Sequence, residues 1–132
     1  MDLFKGILVQ VISNGEILKS YNDPDASDNE NPYQRQQYIE AVTGATFTIR
    51  VIITDQFDLR KISRKDGVNV HLTVDGFDWG QSRVYSTRED IEDDWRMGEP
   101  CTFDFDEFTH FSDKTGQWMK SEYSFNALTF GM

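Results

Sequence analysis

Cysteine occurs once in the 132 residues, as Cys101. One thiol cannot close an internal disulfide, which points to a reducing compartment and an intracellular setting, cytoplasmic or nuclear. Histidine occurs twice, as His71 and His110, far apart in the chain. Neither stands near a G-x-S-x-G element, so a nucleophile–base triad has no foothold. One cysteine and two separated histidines also fall short of a zinc-ligand set. Basic charge is scarce, with 13 Lys and Arg against 23 Asp and Glu for a net charge of −10. That balance opposes the phosphate contacts on which nucleic-acid affinity depends. The one local basic run, Arg60, Lys61, Arg64 and Lys65, reads as a solvated loop. Finally, no stretch approaches the ~18 apolar residues of a membrane span, and Met1 to Lys5 lacks the form of a signal peptide.

What is present is the pattern of a β protein. Hydrophobic residues make up 38% of the chain and aromatics 14%, too apolar for a disordered chain. The 10 Phe favour a sheet core. The cleanest run is Thr46 to Thr54, where Phe47, Ile49, Val51 and Ile53 alternate with Thr46, Thr48, Arg50 and Ile52. Period two with β-branched residues predicts the central strand of a sheet, one face buried. Ile7 to Ile12 and Glu16 to Tyr21 flank Asn14-Gly15, the strongest short hairpin signal, because both central residues need positive φ. Arg35 to Val42 reads as the third strand and Thr43-Gly44 as the turn into the central one. Val68, Val70, Leu72 and Val74 alternate as the fifth strand. Asp75-Gly76 then turns the chain toward Phe77, Trp79 and Arg83 to Tyr85.

Ser86 to Gly98 is the one helical candidate. Ser86 or Thr87 can cap it, Glu89 and Asp90 suit its first turn, Ile91 and Trp95 share a face, and Gly98 with Pro100 ends it. Phe103 and Phe105 alternate beyond it, then the aromatic phase breaks, which predicts a bulge near Glu107. Trp118 to Phe125 is the last strand, and Leu128 and Phe130 are expected to tuck down the end. The fold class expected is all-β: a single antiparallel β-sandwich of about eight strands with one short helix, one domain over residues 1–132.

Oxygen ligands are plentiful at Asp23, Asp25, Ser27, Asp28 and Glu30. Read as an EF-hand loop from Asp23, position six is Asp28 instead of Gly and position twelve is Gln34 instead of Glu, so the calcium pattern fails. An acidic rim pooling this loop with Asp104 and Asp106, or with Asp55 and Asp58, is the alternative to a plain solvated loop. Acids are too many for any two to stand out as a glycosidase pair. No catalytic, cofactor-binding or metal residue is therefore assigned.

The function expected is a non-enzymatic protein-interaction or assembly module. The alternative is a calcium- or small-ligand-binding sandwich using the acidic rim. Two features favour a protein partner or self-association. The first hairpin puts apolar residues on both faces, with Val9, Val11, Ile12 and Leu18, so one face needs a cover from the Asp55–Gly67 connection or, the favoured reading, from another subunit. Trp79, followed by Gly80-Gln81-Ser82, is the best exposed aromatic anchor. The candidate contact residues are Val9, Val11, Leu18 and Trp79.

Several stretches together resemble a family of small fungal proteins of unknown function: the apolar first strand with Asn14-Gly15, Tyr21 to Ala26 with its Asp-Pro-Asp, Tyr38-Ile39-Glu40-Ala41 with Thr43-Gly44-Ala45, Phe47 and Ile49, Val74-Asp75-Gly76, and Tyr123-Ser124-Phe125. The resemblance covers most of the chain. It implies a shared fold and a fungal origin, and a charged C-terminal extension in relatives that this sequence, ending at Met132, does not include. It carries no activity and no site residues.

Overall fold

The computed structural model describes residues 2–22, 37–72, 83–112 and 114–125. It is mostly β, with one α-helix and several antiparallel sheets. The strands are β1 (Asp2–Phe4), β2 (Ile7–Ser13), β3 (Glu16–Ile17), β4 (Ser20–Asn22), β5 (Gln37–Ile39), β6 (Thr46–Ile53), β7 (Gly67–His71), β8 (Arg83–Thr87), β9 (Cys101–Phe105), β10 (Glu107–Ser112) and β11 (Gln117–Ser124). The helix α1 spans Arg88–Arg96. The Leu128 and Phe130 positions and the Asp75-Gly76 turn lie outside the described residues.

Asn14 and Gly15 take φ of 54° and 76°, the pair of left-handed values that closes a two-residue hairpin in register with the right-handed twist of its strands. Ser13 pairs Glu16 and Ile12 pairs Ile17 across it. The second arm is shorter than its hydrophobic pattern predicts. It leaves β2 after the Leu18 amide donates to the Val11 carbonyl at 2.8 Å, and Ser20–Asn22 then pairs β5 in a two-stranded ribbon of its own.

β6 is central, as its alternation predicts. On one edge it pairs β2 from Ile7↔Ile53 to Ile12↔Thr48. On the other it pairs β9 from Cys101↔Ile53 to Phe105↔Ile49, and β11 then takes over at Tyr123↔Phe47. The phase break expected near Glu107 is a strand break at Asp106. There the chain leaves β6 and forms the β10–β11 hairpin, with Glu107 opposite Glu122. Side-chain hydroxyls pin both ends of the β2–β6 pair. Ser13 Oγ donates to the Thr46 carbonyl at 2.8 Å, and Thr54 donates from its amide and its Oγ1 to the Gly6 carbonyl at 2.8 and 2.9 Å. Gly6 sits at φ 88°, and a Cβ there would strike the Phe57 backbone, so only glycine fits.

The register sorts the sheet into two faces. Ile7, Val9 and Val11 share the inner face with Phe47, Ile49, Val51, Ile53, Cys101, Phe103 and Phe105. Leu8, Gln10, Ile12, Thr48, Arg50, Ile52, Thr102 and Asp104 take the outer one. Two core clusters form on the inner face. In one, Ile53, Leu59, Ile91 and Cys101 are buried, with Phe57, Ile62, Val68, Trp95 and Phe103 around them. In the other, Val51, Phe105 and Tyr123 are buried beneath Val70, Leu72 and Val84 of the β7–β8 ribbon. The Phe57–Ile62 part of the connection after β6 thus closes the end of the inner face and does not cover the outer face of β2.

The helix is held by the devices its sequence announced. Thr87 caps it, its Oγ1 accepting from the Asp90 amide at 3.2 Å, and Gly98 at φ 79° ends it. Ile91 is fully buried and Trp95 Nε1 donates to the Ile53 carbonyl at 3.1 Å, which staples the helix to β6. Ile53→Ala should cost about 2–5 kcal/mol in urea denaturation, because Ile53 has no exposed surface and its loss leaves a cavity. Thr48→Ala on the outer face should cost much less, and equal costs would mean that the two faces are wrongly assigned.

Candidate functional site

A predominantly apolar groove of about 340 Å³ is lined by β7 and the inner face of the sheet. Its floor is the inner face of the sheet: Ile7 and Val9 of β2, Ile49, Val51 and Ile53 of β6, and Phe105 of β9. Ile7 lies directly opposite Ile53, and Val9 opposite Val51, so the floor is a continuous patch of β-branched side chains. Its wall is β7. Val68, Asn69, Val70, His71 and Leu72 all line it, whichever face their side chains take. The groove is thus touched by four consecutive residues of β7 and by Leu72 beyond it.

The hydrogen-bond phase of the ribbon says which groups the edge of β7 away from β8 presents. The Arg88 amide donates to the Asp66 carbonyl at 3.0 Å, one step beyond the Gly67↔Thr87 pair. Bonded pairs alternate along an antiparallel ladder, so Val68 and Val70 turn their backbone groups toward β8, and Gly67 and Asn69 turn theirs away. Among the described residues β7 pairs with β8 alone. The Asn69 amide and carbonyl therefore point away from β8, and Asn69 lines the groove.

Beyond the Ile7–Ile53 pair, where Thr54 bonds Gly6, a second, open hollow is lined by Lys5, Asp55, Gln56, Phe57, Asp58, Arg60 and Lys61. Here the basic run is partly engaged. Arg60 binds Asp58 at 3.0 Å and its hydrogen bonds hold that carboxyl below its usual range. Lys5, Lys61, Arg64 and Lys65 are exposed and have no ion pair among the described residues. On the helix, Arg88 bonds Glu92 at 2.8 Å and the Ile62 carbonyl at 2.9 Å, and Arg96 bonds Asp93 at 2.8 Å.

The candidate residues distribute unevenly. Val9 lines the groove. Val11 is half-buried on the same face beside Ile49, and Leu18 is half-buried where the chain leaves β2. Trp79 lies outside the described residues, as do Asp23, Asp25, Ser27, Asp28 and Glu30. Of the other carboxylates considered for an acidic rim, Asp55 and Asp58 line one hollow, Asp58 bound by Arg60, whereas Asp104 lies on the outer face, where Arg50 grips it through two bonds of 2.8 and 3.0 Å. Among the described residues, no group of three His, Cys, Asp or Glu could hold a metal ion. Cys101 is 3% exposed, and burial pushes its thiol up.

Sequence reasoning did not find the β7 edge, because a strand's pairing partners are not written in its own alternation. It also weighed Trp118 as a contact aromatic but preferred Trp79. Trp118 is 69% exposed and Met119 44%, because among the described residues β11 meets β6 only at Tyr123 and Ser124 and its earlier part pairs with β10 alone.

These observations define a mostly β domain with an apolar groove at a strand edge. A family profile described as a domain of unknown function, DUF7918, matches residues 6–131, and the chain belongs to that family. No curated protein and no solved structure matches it. No helix among the described residues is long and apolar enough to cross a membrane.

Two outcomes test this geometry. The bond from Arg50 lowers the Asp104 carboxyl from its ordinary value of 3.8. A carboxyl with a lowered folded pKa adds stability that is present above its unfolded pKa and fades as pH falls through the folded one. Asp104→Asn should thus destabilise slightly at neutral pH, with the gap to wild type closing in acid and narrowing in high salt, as the pair is largely exposed. For Cys101, a thiol-titrating disulfide reagent at about pH 8 should leave the folded protein unreacted and label it fully in urea, since only the exposed thiolate reacts. Fast labelling of the native protein would contradict the buried position.

Proposed function

We propose that this domain is a non-enzymatic protein-interaction module that holds another polypeptide along the β7 edge. The observation that supports it most is the groove: an apolar floor beside a strand edge whose outward backbone groups have no neighbouring strand among the described residues. Exposed strand edges are templates for pairing with another chain, and natural proteins usually protect them with charge, proline or a bulge. β7, reading Gly-Val-Asn-Val-His, carries none of these. An apolar floor left to water is also unfavourable, by about 25 cal/mol for each Å².

In the same reading the β7–β8 ribbon is a second layer facing the large sheet, a sandwich with one side incomplete. The buried single thiol suits an intracellular setting, and the resemblance to fungal proteins suits a fungal one. The partner is foreign by preference, since two copies at −10 each repel.

A photo-crosslinking amino acid in place of Asn69, expressed in the cells the chain comes from, tests the reading. A discrete adduct identified by mass spectrometry is expected, absent when the same group replaces the exposed Asp93 on α1. An adduct of two copies would assign self-assembly instead. A chain that stays monomeric under crosslinking at position 69 would overturn the interaction function.

A further inference from the structure

Resting on that interaction reading, we infer that the partner segment is an extended strand that adds to β7, with apolar side chains at alternate positions and acidic residues at the end over Lys5 and Lys61. Three independent features of the groove specify these three properties.

The wall specifies an extended backbone. Asn69, which lines the groove, turns its amide and carbonyl away from β8, spaced to bond a neighbouring strand, as in recognition by strand addition. A helix keeps its backbone groups for itself and offers that edge nothing. The floor specifies the side chains. A strand lying beside β7 and over β2 sends every second side chain down onto Ile7, Val9, Ile49 and Val51 and the others up to solvent. Residues across from Val68 and Val70 are the ones that reach the floor. Val, Ile, Leu or Phe at i and i+2 fit, and a charge at either would be buried without a partner.

The charges specify the end. Beyond the Ile7–Ile53 pair, where Thr54 bonds Gly6, lies the hollow of Lys5, Asp55, Asp58, Arg60 and Lys61, three cations to two carboxylates, with Lys5 and Lys61 exposed and without an ion pair among the described residues. In a chain of net charge −10, cations left unpaired beside an apolar groove attract an acidic segment that the rest of the surface would repel. The same repulsion disfavours a second copy as the occupant.

A phage library of random peptides of about ten residues, panned against the folded full chain, tests the inference. Enriched sequences should alternate apolar and polar residues and carry Asp or Glu near one terminus. A synthetic copy of the strongest binder should lose about tenfold or more in affinity when one alternate set of its amides is N-methylated, and little when the other set is, because only one set faces β7. Asn69→Pro should weaken it comparably. The Asn69 amide faces away from β8, so the ribbon keeps its own bonds. If circular dichroism shows that variant unfolded, Val9→Phe, which fills the floor without touching the β7 backbone, is the second test and should also weaken binding about tenfold. Enrichment of apolar residues at i, i+3 and i+4, or binding indifferent to N-methylation of both sets, would overturn strand addition. So would the absence of any enriched peptide. A partner crosslinked at position 69 but insensitive to Val9→Phe would leave the interaction function standing without this mode, whereas no enriched peptide together with no crosslinked partner removes both.

Discussion

β6 is hydrogen-bonded along both of its edges, by β2 on one side and by β9 and then β11 on the other. Each of those strands takes its register from it. A slip of one residue would turn Ile49, Val51 and Ile53 to the outer face and bring Thr48, Arg50 and Ile52 inward. The hydroxyl pins at Ser13 and Thr54 stand at the two ends of the β2–β6 ladder, where a slip would begin. The helix depends on the same strand, since Trp95 donates to the Ile53 carbonyl and Ile91 packs in the Ile53 cluster.

The groove follows from a mismatch in width. The inner face of the sheet is at least three strands across, β2, β6 and β9, whereas the β7–β8 ribbon packed on it is two among the described residues. Val70, Leu72 and Val84 cover the Val51, Phe105 and Tyr123 side. Ile7 and Val9 remain beside the β7 edge, on the floor of the groove. A ribbon of two strands always has two edges, and here one of them overlooks apolar surface. Backbone polarity and apolar floor thus lie side by side, which is the combination that an added strand satisfies and that water satisfies only in part.

Electrostatics contributes little to the fold. The ion pairs of Arg50 with Asp104 and of Arg60 with Asp58 are solvent-exposed, and pairs of that kind add little stability. Each of these carboxylates is held by an arginine fork. Lys5 and Lys61, in the hollow they share with Arg60, Asp55 and Asp58, and Arg64 and Lys65 nearby in sequence, are exposed cations on a strongly negative molecule. Such charges act mainly on encounter and selectivity.

Local chemistry was legible in the residues themselves. Alternation marked β6 and named its buried face, because side chains on a strand must take opposite sides. Asn14-Gly15 marked a hairpin, because few other pairs adopt two positive φ values. Thr87, Glu89, Asp90 and Gly98 marked the ends of α1, because helix termini need partners for orphaned backbone groups. Pairing across long separations was not legible. Nothing in Glu16 to Tyr21 says that the chain abandons β2 after Ile17 for β5, and nothing in Cys101 to Phe111 says that its first half serves β6 and its second half β11. Nor does Trp118 announce its exposure, or Val9 its place on the floor of a groove. Alternation tells which side of a strand is apolar, whereas what covers that side depends on strands dozens of residues away, and only the tertiary structure decides which edge is left over.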